Sequence, residues 1–366
     1  MYIQPTRKQV LINQYLMKNI LVTGGAGNIG GSLVNKLVED PDNFVVVVDN
    51  LFTGSIKKLP DIRSTNWKFI RCDVNDFEDI SSVLLSYHFD YVFHYAAVVG
   101  VQRTLSNPML VLKDIDGIRN ILTLSKNTGV KRIFYSSSSE VYGEPVEIPQ
   151  NESTTPLNSR LPYAIVKNVG EAYFRSFNLE FGLPYTIFRF FNTYGPLQST
   201  DFVITKFIEA AIKNNPITVY GDGSQSRTFF YINDNIDFTL KTLNGNHFVN
   251  DIVNVGSDFE ISILKLAQLV KEVLKSGSKI VHLPPLQEGD MRRRYPDISK
   301  MKKVLSRELT SLEYGIRAVA DSLRKLGPAD PEDLRGRSPD LSEVSGNVVK
   351  IRNTGREEMV CPDEPQ

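Results

Sequence analysis

Thr23-Gly24-Gly25-Ala26-Gly27-Asn28-Ile29-Gly30 follows the apolar run Ile20-Leu21-Val22, and beyond it Ile29, Leu33, Val34, Leu37 and Val38 recur at helical spacing. The glycines fall in a G-x-x-G-x-x-G pattern directly after a strand and at the opening of a helix. A second apolar run, Phe44-Val45-Val46-Val47-Val48, ends at Asp49, so Ile20 to Asp49 reads as one strand-helix-strand unit of about thirty residues. Such a turn is either a ligand-free tight corner or a pyrophosphate cradle. In the second case bare backbone at Gly24 and Gly27 admits the phosphates to free amides and the helix dipole, and Gly30 lets helix and strand pack closely. Asp49 decides for the cradle: nineteen residues after Gly30, its carboxylate can accept both ribose hydroxyls of an adenosine and repel a 2'-phosphate. That favours NAD over NADP, and Asn50 follows with no adjacent basic residue to soften the repulsion. Asp73, after the Phe69-Ile70 run and before Val74, either meets the adenine edge or caps the next helix.

Outward from this unit the same alternation continues. Strands are expected at Lys68 to Arg71, Tyr91 to His94, Arg132 to Ser136 and Tyr185 to Arg189, with helices at Phe77 to Tyr87, Pro108 to Lys126 and Tyr163 to Phe181. Buried parallel strands alternating with helices imply an α/β fold, a Rossmann-like doubly wound parallel sheet with helices on both faces. After about Gly195 the alternation weakens to a helix near Phe202 to Lys213, a strand near Thr218 to Tyr220 and further pieces from Ile261 to Leu274. The expected organisation is an extension over 1–18, a dinucleotide-binding domain over 19–195 with a return segment near 230–258, a smaller α/β substrate-binding domain over 196–326, and a loosely ordered Pro-rich and charged tail over 327–366.

Composition removes several function classes. Lys plus Arg (42) balance Asp plus Glu (42), so there is no basic excess to neutralise a nucleic acid backbone. No run of eighteen apolar residues offers a membrane span, and Met1 to Lys18 lack an apolar core and cleavage site of secretory type. Two distant cysteines, Cys72 and Cys361, fit a reducing compartment, and neither they nor the four scattered histidines have metal-ligand spacing. The expectation is a cytoplasmic protein with no metal, no membrane contact and no nucleic acid partner.

Tyr163-Ala164-Ile165-Val166-Lys167 sets a phenol and an ammonium on one helix face. Alone, such a pair is most often a surface feature. Downstream of a dinucleotide turn it becomes the expected acid/base site, because a neighbouring cation favours the phenolate. Lowering a tyrosine from about 10 toward 7 requires roughly 4 kcal/mol, and a near cation plus an oxidised nicotinamide can supply it. A phenolate so tuned takes a hydroxyl proton while hydride leaves the same carbon.

With these motifs stand His94-Tyr95-Ala96-Ala97, Ser136-Ser137-Ser138-Ser139-Glu140-Val141-Tyr142-Gly143, Phe191-Asn192-Thr193-Tyr194-Gly195-Pro196 and Val219-Tyr220-Gly221-Asp222-Gly223. From about Asn19 to Leu326 the chain resembles the extended short-chain dehydrogenase/reductases, in the NAD-dependent nucleotide-sugar epimerase/dehydratase family. The resemblance implies NAD held by Gly24, Gly27, Asn28, Ile29, Gly30, Asp49, Asn50, Asp73, Val74, Tyr95, Ala96 and Ala97 together with Tyr163 and Lys167. It implies a catalytic set of Tyr163, Lys167, Ser138 and Glu140, with Ser138 on the sugar C4 oxygen. Ser139 would line the sugar site, Asn192 would hold the nucleotide diphosphate and Arg227 would pair with its phosphate. A nucleotide sugar, a UDP-sugar first, is the implied substrate. A homodimer through the two long helices is the implied assembly, with Ile118, Ile121, Leu122, Phe174 and Phe177 available to the core or to that interface.

Departures from the family pattern narrow the chemistry. Asn28 replaces the usual aromatic or aliphatic residue of the glycine turn, and Asp114 replaces an Asn. Dehydratases of the family carry Asp-Glu before Val-Tyr-Gly; Ser139-Glu140 stands here, and serine is a poor general acid at neutral pH. Ser-Glu resembles uronate decarboxylases, whereas Gly195-Pro196-Leu197 lacks the arginine usual after Gly-Pro in them. The leading expectation is therefore C4 epimerisation of a UDP-hexose, with UDP-glucuronate decarboxylation or related C5-carbanion chemistry as the alternative. A non-catalytic NAD-binding module is the third reading, and the intact Ser138, Tyr163 and Lys167 set argues against it.

Overall fold

A computed structural model describes residues 17–61, 63–285, 291–326 and 348–349. Its centre is a parallel sheet of seven strands: β1 (Lys18–Thr23), β2 (Asn43–Asp49), β3 (Trp67–Arg71), β4 (Tyr91–His94), β5 (Arg132–Ser138), β6 (Tyr185–Phe190) and, after four short strands described below, β11 (Asp251–Val255). Their order is β11-β6-β5-β4-β1-β2-β3, and a two-residue strand, Val348–Val349 (β14), pairs at the β3 edge. The order reverses between β1 and β4, which is where a doubly wound sheet opens a crevice at its strand C-termini. Of the expected leading stretch, Met17 and Lys18 are described and Lys18 opens β1. Of the tail over 327–366, only β14 is described.

The strands read as unbroken apolar runs because both sheet faces are covered. Side chains alternate between them: Ile20, Val22, Val45 and Val47 join one core, Leu21, Val46 and Val48 the other. The second core is closed by α2 (Phe77–Ser86), α5 (Asp114–Thr128) and α6 (Pro162–Phe181), and the first by α1 (Asn28–Leu37) and α8 (Ile232–Asn244). Asp76 caps α2, its carboxylate accepting the amides of Glu78 and Asp79. Asp73 is therefore not the cap. The expected single helix from Pro108 to Lys126 is broken at Lys113 into α4 (Pro108–Leu112) and α5, behind a short α3 (Val101–Ser106). Ile118, Ile121, Leu122 and Phe174 are all at most 2% exposed, so they serve the core.

After β6 come β7 (Thr193–Tyr194) with β10 (Phe230–Tyr231), β8 (Ile217–Tyr220) with β13 (Ile280–Leu283), and β9 (Ser226–Thr228) with β12 (Glu260–Ser262). Helices α7 (Val203–Ile212), α9 (Ile263–Leu274), α10 (Ser299–Leu305) and α11 (Leu312–Leu326) pack around them. Their apolar residues, Phe207, Val219, Leu266 and Ile316 among them, belong to the same continuous core as Val22 and Val47. No described helix is long and apolar enough to cross a membrane.

Two devices register α6 on β5. A Cβ on Gly170 would lie 2.2 Å from the Tyr135 hydroxyl, so only glycine allows this approach. One residue on, fully buried Glu171 takes a bidentate pair from Arg189 of β6 (2.9 and 2.7 Å) and the Ser137 hydroxyl of β5 (2.6 Å). Arg189 also donates to the Tyr142 hydroxyl at 2.8 Å, which donates to Asn254 of β11 at 2.7 Å. Removing one partner of such a pair strands a buried charge. Arg189→Met is expected to destabilise the fold by about 3–5 kcal/mol, read as a lower urea midpoint at unchanged slope; a loss below about 1 kcal/mol would show the pair to be incidental.

Candidate active site

The crevice at the β1/β4 reversal is a cleft of about 550 Å³. Gly24, Gly27, Asn28, Ile29, Gly30, Asp49, Asn50, Asp73, Val74, Tyr95, Ala96, Ala97, Ser138, Ser139, Glu140, Tyr163, Lys167 and Asn192 all line it. Arg227 does not. It lies buried on β9, where its Nη1 donates to the Ser226 carbonyl at 2.7 Å, so the phosphate contact expected of it has no support in the cleft's lining.

At one end lies the glycine turn. Gly24 adopts φ +67°, and a Cβ there would stand 2.7 Å from the Ala96 backbone. Its bare backbone thus serves the approach of the 95–97 loop, a different reason from the ligand clearance expected of it. Thr23 fixes that loop too, its hydroxyl accepting the amides of Tyr95 (3.1 Å) and Ala96 (3.2 Å). Gly30 lets α1 close on the turn, since a Cβ would meet the Gly24 carbonyl at 2.3 Å. A Cβ on Gly27 would meet only that carbonyl, at 3.1 Å. No side chain caps α1, so its leading amides and positive dipole end face the cleft.

Asp49 ends β2 beside this turn. Its carboxylate accepts the amides of Ala26 (3.0 Å) and Leu51 (2.8 Å), which fix its orientation, while burial raises its pKa above the ordinary carboxylate value. Asn50 turns the chain by accepting the Phe52 amide at 2.9 Å. Asp73 accepts the Asn75 amide at 3.0 Å and leaves Val74 along the wall. The sequence near Asp49 suggested no basic neighbour, yet Lys58, from a single 3-10 turn at Ile56–Lys58, reaches the same cleft and interacts with Asp49. Nine residues of separation hid it.

At the other end β5 and α6 bring the second constellation together. Tyr163 is the second residue of α6, entered through Pro162, and Lys167 lies one turn on. The ammonium stands 5.7 Å from the Tyr163 ring centroid and 5.0 Å from that of Tyr135, and donates to Ser136 Oγ at 3.4 Å. Ser138 ends β5, bonding the Tyr163 phenol and accepting the Glu140 amide at 3.2 Å. Burial first, then Glu140, hold the phenol well above its ordinary pKa, against the pull of Ser138 and Arg294. Burial lowers Lys167 to about 8, opposed by Asp114. His94 behind them is held neutral, burial and Lys167 depressing it to about 3.

Arg294, like Lys58, is a residue the sequence reading missed. It is 7% exposed, lines the cleft and pairs with Glu140 at 3.4 Å, while its Nε is buried without a partner. Its only mark in the sequence is the basic run Arg292-Arg293-Arg294. Asn192, at φ 38°, donates to the Thr228 carbonyl at 2.9 Å. Among the described residues, no group of three or more His, Cys, Asp or Glu side chains is placed to hold a metal ion.

A helix N-terminus and a strand-end carboxylate at one end of a cleft, with serine, tyrosine and lysine at the other, define a dinucleotide-dependent enzyme of oxidoreductive chemistry. The match of residues 20–256 to the NAD dependent epimerase/dehydratase family makes the chain a member of it. UDP-glucuronic acid decarboxylase 1 of Arabidopsis thaliana is 36% identical over 82% of this chain and 69% of its own length. UDP-glucose 4-epimerase of Thermotoga maritima, solved with UDP-glucose, superposes with a TM-score of 0.79 at 33% identity, over 84% of this chain and 99% of that one. UDP-glucuronic acid 4-epimerase of Bacillus cereus, solved with UDP-glucuronic acid and NAD, gives 0.77 at 28%, over 84% and 99%.

NAD is the cofactor, and the residues present fit it: uncapped amides at α1, the buried Asn28 Oδ1 without a partner, and the fixed Asp49 carboxylate. Calorimetric titration is expected to show NAD binding at least roughly tenfold more tightly than NADP, about 1.4 kcal/mol, and Asp49→Asn should narrow the gap. Equal affinities would remove Asp49 from ribose recognition, with Lys58 then cancelling its charge.

Proposed function

We propose that the protein oxidises C4 of a UDP-linked hexuronic acid, loses the C6 carboxylate as carbon dioxide from the resulting β-keto acid, and re-reduces C4. The observation that carries this reading is Arg294, a buried cation beside Glu140 whose Nε has no protein partner. A substrate carboxylate completes it with an ion pair, whereas a hydroxyl of a neutral hexose accepts the hydrogen bond but brings no opposite charge. Glu140 beside it suits the proton handling that C5 requires. C4 epimerisation, the leading expectation from sequence, stays as the second reading. It is favoured by Gly195-Pro196-Leu197, without an arginine, and by the likeness to solved 4-epimerases.

Bound NAD supplies the hydride acceptor and donor at C4, and a positive charge that favours the phenolate. Gly24, Gly27, Asn28, Ile29 and Gly30 hold its pyrophosphate. Asp49 and Asn50 hold the adenosine ribose, Asp73 and Val74 the adenine, and Tyr95, Ala96 and Ala97 form the wall. Tyr163 takes the C4 hydroxyl proton and later returns it, Ser138 orients that oxygen, and Lys167 stabilises the phenolate. Breaking C5–C6 leaves its electrons in the C4 enolate, which is protonated at C5. Ser139 and Asn192 line the sugar and diphosphate ends. We also propose a homodimer, using exposed residues of α4 and α6 such as Met109 and Ile165.

Incubation with UDP-glucuronate and UDP-glucose, followed by NMR, is expected to yield a UDP-pentose and carbon dioxide from the first. UDP-galacturonate or UDP-galactose as the product would replace this reading with epimerisation. Tyr163→Phe should lower turnover by about 10²- to 10⁴-fold with fold and NAD binding retained; near-normal turnover would overturn the mechanism. Glu140→Gln and Arg294→Met should each abolish most decarboxylation, whereas a simple epimerase would tolerate the first.

A further inference from the structure

Arg294 reaches the cleft from an extended strip, Met291 to Ile298, whose two buried ends flank it. The end toward Ile298 is tied to the chain at Gln150. The Gln150 amide donates to the Tyr295 carbonyl and the Asp297 amide to the Gln150 carbonyl, both at 2.8 Å, and Asn151 Nδ2 donates to Asp297 Oδ2 at 3.0 Å. The end toward Met291 is tied to the β9–β12 pair. There the Ser226 amide donates to the Arg292 carbonyl at 3.0 Å, and the Arg292 amide to the Glu144 carboxylate at 3.4 Å. Arg293 then closes a bidentate pair on Glu260 of β12, Nε to Oε1 at 2.6 Å and Nη2 to Oε2 at 2.7 Å. Glu260 is aimed at it by the Ser226 hydroxyl, which donates to Oε1 at 2.5 Å. None of the steps above uses this pair.

We propose that Glu260 is a positioning residue: by clamping Arg293 it holds the strip in the register that delivers the next side chain, Arg294, to Glu140 and to the substrate carboxylate. This rests on the reading of Arg294 given above. Successive side chains of an extended strip point to opposite sides. Arg293 accordingly turns outward and is half-exposed, while Arg294 turns inward and is buried. The two guanidiniums are joined through one peptide link, so a twist at Arg293 moves Arg294 relative to Glu140, which it meets at 3.4 Å. An ion pair as exposed as Arg293–Glu260 returns little stability. A bidentate arginine fork, however, fixes direction as well as distance. Direction is what Arg294 lacks from its own contacts, because its Nε has no protein partner to hold the plane of the guanidinium. At a reacting site a displacement of about 1 Å can cost about 10²-fold in rate.

The test is Glu260→Ala in the full-length, NAD-loaded protein, with the swapped pair Glu260→Arg plus Arg293→Glu as its rescue. The first readout is selective affinity, titrated in a Tyr163→Phe background that suppresses turnover. Glu260→Ala should weaken UDP-glucuronate binding about tenfold, the scale of one hydrogen bond to a charged group, and leave UDP-glucose within about twofold. The second readout needs no reaction: with 15N-arginine labelling, the Arg294 Nε–H signal is assigned with Arg294→Lys and its hydrogen exchange followed by NMR. Exchange should be about tenfold faster in Glu260→Ala, and the swapped pair should restore both readouts. An Arg294 exchange rate unchanged from wild type overturns the proposal. So does an equal loss of affinity for both sugars, or a swapped pair as impaired as Glu260→Ala. Where Glu260→Ala does not fold, Glu260→Gln, which keeps an acceptor for Ser226 but deletes the charge, carries the same two measurements. If wild type binds the two sugars equally, the carboxylate reading of Arg294 falls, yet the exchange rate still decides whether Glu260 positions it.

Discussion

The ion pair between Glu171 and Arg189 is the interaction on which the geometry of the site depends. Tyr163, Lys167 and Glu171 follow one another at four-residue steps on one face of α6. Fixing Glu171 therefore fixes where the other two point. Removing two charges from water is expensive, and a pair buried this deeply returns little net stability. What it returns is register. Glu171 accepts from Ser137 as well as Arg189, and Arg189 reaches Tyr142 and through it Asn254. A slip of α6 along β5 would part Glu171 from both Ser137 and Arg189, stranding the Arg189 charge, and would drive a side chain into Tyr135 where Gly170 now passes. The same network touches the 3-10 turn Ser139–Tyr142, so Glu140 is positioned by the apparatus that positions Tyr163.

The sheet was legible in the sequence because parallel strands covered on both faces must be apolar throughout, and Phe44 to Val48 could hardly be anything else. Tyr163 and Lys167 were legible because a helix turns spacing into proximity. The break at Lys113 was not, since Pro108 to Lys126 keeps its helical periodicity through the kink. Strands β7, β9, β10 and β12 are two or three residues long, too short for any period to show. Arg294 and Lys58 escaped for a different reason. Arg294 meets Glu140 across a separation of 154 residues, and only the closure of the chain brings them together. Arg227, named through resemblance, lies outside the cleft's lining, whereas Lys167, named from helical spacing, lies in it.

The glycine turn shows that one pattern can satisfy several demands. Gly24 yields to the backbone of Ala96, Gly30 to the carbonyl of Gly24, and Gly25 to the side chain of Val47, whose Cγ1 would stand 2.3 Å from a Cβ. Most of the motif is thus spent on packing chain against chain. The cradle is what remains: the α1 amides that no side chain caps. Ligand clearance alone therefore accounts for only part of why glycine stands at these positions.

The far end of the cleft holds two cations, Lys167 and Arg294, and two carboxylates, Asp114 and Glu140. Arg294 and Glu140 form an ion pair there at 3.4 Å. Around the Tyr163 phenol, burial first, then Glu140 and Asp114, hold its proton on, whereas Ser138 and Arg294 favour its loss. A reaction that oxidises a carbon and then reduces it needs a group that can take a proton and give the same proton back. A tyrosine driven fully to phenolate would be a good base and a poor acid, and an unperturbed one the reverse. Opposed charges around a single phenol leave the balance to be tipped by what binds. A bound nicotinamide would favour the proton's departure in its charged form and its retention in its neutral form. In a low-dielectric cleft each unit of charge added moves the phenol's balance further than it would in water.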